Sequence, residues 1–70
     1  MKIFAPFAGI VRYHVEEGEK VSAGDIIATV EATKLEAPVH TPGPGVVTQL
    51  RMEPFSDVVG GDELATIGEV

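Results

Sequence analysis

The feature that most constrains this chain is that its two halves repeat one another. Pro6, Gly9 and Val11 recur 36 positions later as Pro42, Gly45 and Val47. After one inserted residue, Glu16, Val21, Gly24, Asp25, Ala28 and Thr29 recur 37 positions later as Glu53, Val58, Gly61, Asp62, Ala65 and Thr66. Val15/Met52, Ile27/Leu64 and Val30/Ile67 keep their apolar character across the copies. Repeats this short cannot each bury a hydrophobic face alone, so the copies must share one core. A twofold axis is the simplest way to do so. Such an axis maps the segment near Val39 onto that near Ile3, and the strand leaving the first copy at Val30 onto the one leaving the second at Ile67. The hairpin joining the copies then lies at one end, with both termini at the other.

The pieces that make up each copy read as strands. Eight glycines and five prolines cut the chain into segments mostly too short for helices. Between them, valine and isoleucine, the β-branched types that suit a pleated surface, dominate. Strands are expected at 9–15, 26–32, 35–39, 45–52 and 63–67, with shorter ones at 2–5, 20–21 and 57–58. The stretch 25–37 has no Gly or Pro, and its Ala, Glu, Lys and Leu would suit a helix. The repeat argues otherwise. In the second copy the equivalent run after Gly61-Asp62 ends at Gly68, too short for a stable helix, so its partner at Ile26 to Val30 reads as a strand. The expectation is one all-β domain over residues 1–70, with Gly9, Gly18, Gly24, Gly45 and Gly61 at turns and bends.

Composition removes several classes of function. A chain of 70 residues buries only about 60% of its unfolded surface. Its single core supplies on the order of 3–5 kcal/mol. No cysteine is present to staple it or to hold zinc, and His14 and His40 alone make no metal site. The formal charge of −6 repels nucleic acid. The longest apolar stretches fall far short of the ~20 residues that span a bilayer, and Pro6 and Gly9 interrupt the start of the chain before a signal-peptide core can form. A cytoplasmic protein, monomeric as an isolated domain, is the expectation.

The segment Glu31-Ala32-Thr33-Lys34-Leu35-Glu36 joins the copies and carries one of three lysines. With Thr33-Lys34 as a two-residue turn, Ala32 faces Leu35 and Glu31 faces Glu36. Such turns favour Asn-Gly or Asp-Gly because their central residues take positive φ, which β-branched Thr avoids. Facing glutamates also repel, and Lys34 is the cation expected to sit with them. Local structure is thus traded for the identity of the tip, a pattern of functional sites. An exposed lysine is overwhelmingly protonated at neutral pH, so Lys34 is not a catalyst but a candidate for modification by an enzyme that supplies an activated acyl group.

These residues resemble a known family. Ala5-Pro6-Phe7-Ala8-Gly9-Ile10-Val11, Glu16-Glu17-Gly18-Glu19-Lys20-Val21, Gly24-Asp25 and the hairpin are similar to the biotinyl domain of biotin-dependent carboxylases, over nearly the whole chain. The family motif is Glu-Ala-Met-Lys-Met/Leu. The resemblance implies a flattened barrel-sandwich of two four-stranded sheets with the lysine on a protruding hairpin. It implies biotin attached covalently to Lys34, with Glu31, Ala32, Thr33, Leu35 and Glu36 read by a biotin protein ligase. It also implies a non-catalytic carrier that moves a carboxyl group from a biotin carboxylase to a carboxyltransferase, the acceptor commonly an acyl-CoA. Thr33 stands where the family has methionine, a departure expected to alter ligase recognition or transfer. Related lipoyl domains carry Asp-Lys-Ala here, which this chain lacks. A lipoyl carrier and an unmodified β-barrel interaction module are the alternatives.

Overall fold

The computed structural model describes residues 1–69. It contains eight strands: β1 Lys2–Phe4, β2 Gly9–Tyr13, β3 Lys20–Val21, β4 Ile26–Glu31, β5 Glu36–His40, β6 Gly45–Leu50, β7 Asp57–Val58 and β8 Glu63–Gly68. Each strand falls where the repeat and the turn residues place it. The stretch that helix propensity would have claimed is the strand pair β4 and β5. The longer strands stop short of their expected ends where the chain bends: β2 ends at Tyr13 and β6 at Leu50, before the turns at Glu16 and Glu53.

The strands form two antiparallel four-stranded sheets, ordered β1-β8-β6-β3 and β5-β4-β2-β7. Replacing each strand of the first order by its repeat mate gives the second, so the twofold relation inferred from sequence exchanges the sheets. Each half supplies the two inner strands of one sheet and the two edge strands of the other. Neither half has a sheet of its own.

The side chains between the sheets obey the same relation. Val11 and Val47, Ile27 and Leu64, Ala28 and Ala65, Val30 and Ile67, Val21 and Val58, and Ile3 and Val39 are all buried. Burying such side chains contributes roughly 1.5–3 kcal/mol for each large aliphatic. The loops are doubled as well. Ser22 N–H donates to Asp25 Oδ2 at 2.8 Å, and its mate Val59 N–H to Asp62 Oδ2 at 2.9 Å. Gly24 N–H donates to Thr41 O at 2.8 Å, and Gly61 N–H to Ala5 O at 2.9 Å.

Three of the five glycines expected at turns, Gly18, Gly24 and Gly61, have φ near +90°. The other two correct the expectation. Gly9 and Gly45 open β2 and β6 and are glycine because of close approach. A Cβ on Gly9 would meet the Glu31 carbonyl group inside 3.0 Å, and one on Gly45 would meet the Gly68 carbonyl oxygen and Ile67 Cγ2 as closely. Phe55, the mate of Gly18, holds φ +63° with its side chain exposed, an unfavourable backbone state for a bulky residue.

The topology also fixes the ends. Gly9 of β2 pairs with Val58 of β7, at the end of β2 where Ile10 pairs with Glu31. From there β8 runs away from the β4–β5 hairpin, and Met1 exchanges hydrogen bonds of 2.7 and 2.8 Å with Ile67 at the far end. The hairpin and the described chain ends are therefore at opposite poles, as the axis requires.

Tyr13 ties the sheets together: from β2 its hydroxyl donates to the Leu64 carbonyl of β8 at 2.7 Å and accepts from Met52 N–H at 3.2 Å. Burial raises its pKa above the ordinary 10.0, opposed by the Met52 hydrogen bond to the ionised form. The folded chain thus keeps this proton longer than the unfolded chain does. Its stabilising effect is complete below about pH 10 and is lost as pH rises through the folded value. Tyr13→Phe should lower stability by about 1–2 kcal/mol at neutral pH, and denaturant titrations above about pH 10 should show a shallower alkaline loss in the variant than in the parent.

Backbone geometry makes a second expectation. Gly45→Ala should destabilise by about 2–3 kcal/mol through backbone clash. Phe55→Gly should instead stabilise, by up to about 1 kcal/mol net of glycine's entropy. Thermal unfolding of both variants checks the opposite signs.

Candidate functional site

The six hairpin residues come together as expected. Glu31 and Glu36 face one another as the last register pair of β4 and β5, and Ala32 N–H donates to Leu35 O at 2.7 Å. Pro38 is accommodated because β5 is an edge strand, where one missing N–H is tolerated. Thr33 and Lys34 form the exposed tip.

The backbone of the tip differs from the sequence expectation. Among the described residues Phe55 is the one non-glycine with positive φ, so neither Thr33 nor Lys34 adopts the strained conformation of a primed turn. Turns without positive φ fit the twist of flanking strands less well and splay them. The mouth of this hairpin keeps its backbone pairing and carries an ion cluster on top of it.

The cation among the glutamates is not Lys34. Arg12, on the neighbouring strand β2, reaches Glu31 Oε1 with Nη1 at 2.7 Å and Glu36 Oε1 with Nη2 at 3.7 Å. Lys34 enters no ion pair among the described residues. The expectation that it neutralises the flanking glutamates is overturned by register. Arg12 pairs with Thr29 two residues before Glu31, on a strand adjacent to β4, while a lysine at the tip projects beyond the ladder. Sequence reasoning missed Arg12 because its closeness to the hairpin depends on β2 lying beside β4, which the repeat alone does not state.

One further residue supports the hairpin from below. Gly9 lets the start of β2 lie against the Glu31 carbonyl. Beside the tip, Ala8, Gly9, Ile10, Ala32, Thr33 and Val59 line an open, largely apolar hollow of about 700 Å³. Leu35 is 62% exposed. No buried side-chain polar atom among the described residues lacks a partner, and no cluster of His, Asp or Glu there could hold a metal.

The structure is a doubled barrel with the exposed Lys34 hairpin at the pole opposite the described chain ends. Comparison with known proteins gives the family. Residues 1–67 match the biotin/lipoyl family model described as "Biotin-requiring enzyme", and the chain belongs to this family as a biotinyl domain. Covalently attached biotin is the family's cofactor.

Among curated relatives, a biotin-dependent acyl-coenzyme A carboxylase alpha3 subunit of Mycobacterium leprae is 36% identical over 93% of this chain and 11% of its own length. The dihydrolipoyllysine-residue succinyltransferase component of the 2-oxoglutarate dehydrogenase complex of Saccharomyces cerevisiae is 33% identical over 79% of this chain and 12% of its own. A homologue of biotinylated protein TB7.3 in Mycobacterium leprae is 28% identical over 86% and 84%. The chain thus spans about a tenth of the first two relatives. A solved single-chain, multi-domain long-chain acyl-CoA carboxylase superposes with a TM-score of 0.90 at 24% identity, over all of this chain and 7% of that one. That likeness is one of fold.

Proposed function

We propose that Lys34 carries the biotin and that the domain is a carboxyl carrier. The observation that supports this most is the place of Lys34: exposed, unpaired among the described residues, at the pole remote from the described chain ends, in a member of a biotin-requiring family. Glu31, Ala32, Thr33, Leu35 and Glu36 surround it as the surface a biotin protein ligase reads.

In the modification step, deprotonated Lys34 Nζ attacks the carbonyl carbon of an activated biotinyl group. An amide bond forms, the bond to the activating group breaks, and Nζ releases its proton. Lys34 loses its charge, taking the formal net charge from −6 to −7. The Arg12–Glu31–Glu36 contacts are separate from this event.

When bound, biotin supplies a ureido nitrogen able to bear a carboxyl group between a biotin carboxylase, which draws on ATP and bicarbonate, and a carboxyltransferase, whose acceptor is an acyl-CoA. The chain's own part is to hold Lys34 away from the barrel and enclose nothing. Tethering then replaces diffusion of a free carrier by a high effective concentration at each partner site. The acyl-coenzyme A carboxylase relative supports the choice of acceptor.

The yeast succinyltransferase relative supports a lipoyl carrier as the second reading. The lack of the lipoyl Asp and Ala around the lysine, Glu36 after the apolar Leu35, and the Ala5-Pro6-Phe7-Ala8-Gly9 opening favour biotin.

Intact-mass analysis of protein expressed with a biotin ligase should show one biotinyl group, bound by streptavidin and absent from Lys34→Arg. A lipoyl mass, or an unmodified chain, would overturn the reading. Thr33→Met should raise kcat/KM for biotinylation several-fold by offering a flexible apolar contact, as measured with purified ligase.

A further inference from the structure

We infer that Arg12 is the positioning residue of the lysine hairpin, clamping β5 to β4 at the mouth so that Lys34 is offered in one geometry before and after acylation. For its functional part this rests on the reading of Lys34 given above.

The clamp spans three adjacent strands. Arg12 stands on β2, Glu31 on β4 and Glu36 on β5, in the order β5-β4-β2. Glu31 and Glu36 are directly opposed, so without a cation between them their repulsion would loosen the mouth. The other side of β5 has no strand to hold it. Beyond the Glu31–Glu36 pair, the tip is closed by the Ala32 N–H to Leu35 O bond. A planar fork can address two carboxylates at once, which a lysine's single ammonium does less well.

The second copy of the repeat acts as an internal control. The mate of Arg12 is Thr48, whose hydroxyl donates to the Thr66 carbonyl, and the mate of Glu31 is Gly68. The barrel therefore stands at its other pole without any ion cluster at this position. The triad has been added where the lysine is displayed. Because Lys34 is outside it, loss of the lysine charge leaves the clamp in place.

The ion pairs are partly exposed, so the effect is modest, about three- to fivefold. In Arg12→Gln, amide hydrogen exchange at Ala32 should quicken by about that factor while exchange at Val11 and Val47 stays unchanged. Arg12→Lys should fall between. Arg12→Gln with Glu36→Gln should regain protection, because the repulsion is gone. In the ligase assay, Arg12→Gln should raise KM by a similar factor with kcat unchanged, since only the fraction of hairpins already closed is recognised.

Unchanged Ala32 exchange in Arg12→Gln would overturn the clamp even if Lys34 is biotinylated normally. Faster exchange with an unaltered KM would overturn the positioning role. A wild-type chain that the ligase does not acylate at all would refute the assignment of Lys34, and the exchange data would still decide the clamp.

Discussion

The structure depends on the exchange of strands between its two halves. Each copy places two strands at the centre of one sheet and two at the edges of the other, so the single core draws its side chains from both copies. The cross-links at the loops, Gly24 to Thr41 and Gly61 to Ala5, seal the sheets at equivalent points. A core this small, with no disulfide, gains cohesion from such interdigitation, since no half can open without exposing the other.

From that constraint follows the division of the molecule into scaffold and display. The doubled parts, the core pairs, the Asp25 and Asp62 turns and the close-packed glycines, are what the fold needs. Residues that break the doubling are candidates for something else. Lys34 breaks it because the hairpin that joins the copies has no equivalent within the second copy among the described residues. Arg12 breaks it against Thr48, and Phe55 against Gly18 at a backbone cost that the structure does not explain.

The chemistry is one of exposure. A lysine meant as a nucleophile in its own right would be desolvated or set beside another cation, and Lys34 is neither. Its surroundings instead fix the backbone beneath it. Gly9 admits the first residue of β2 under Glu31, and Arg12 joins the two glutamates, so a flexible side chain stands on a hairpin of defined shape. That fits the proposal that Lys34 is acylated by one enzyme and then met by others.

Most of the fold was legible in the amino-acid order because a twofold repeat carries its own register: Pro6/Pro42, Gly9/Gly45 and Asp25/Asp62 mark the same turns and approaches twice, and the apolar mates declare the shared core. The tip was legible too, since Lys34 falls between the copies. Apart from the β4–β5 hairpin, what the order of residues could not determine was which strands lie side by side, because a twofold relation constrains pairs of strands to be equivalent without saying which are neighbours. Only the tertiary structure placed β2 beside β4, and with it brought Arg12 to Glu31 and Glu36 and Gly9 to the Glu31 carbonyl. Contacts between residues far apart in the chain are set by strand adjacency, and a local sequence pattern holds no record of it.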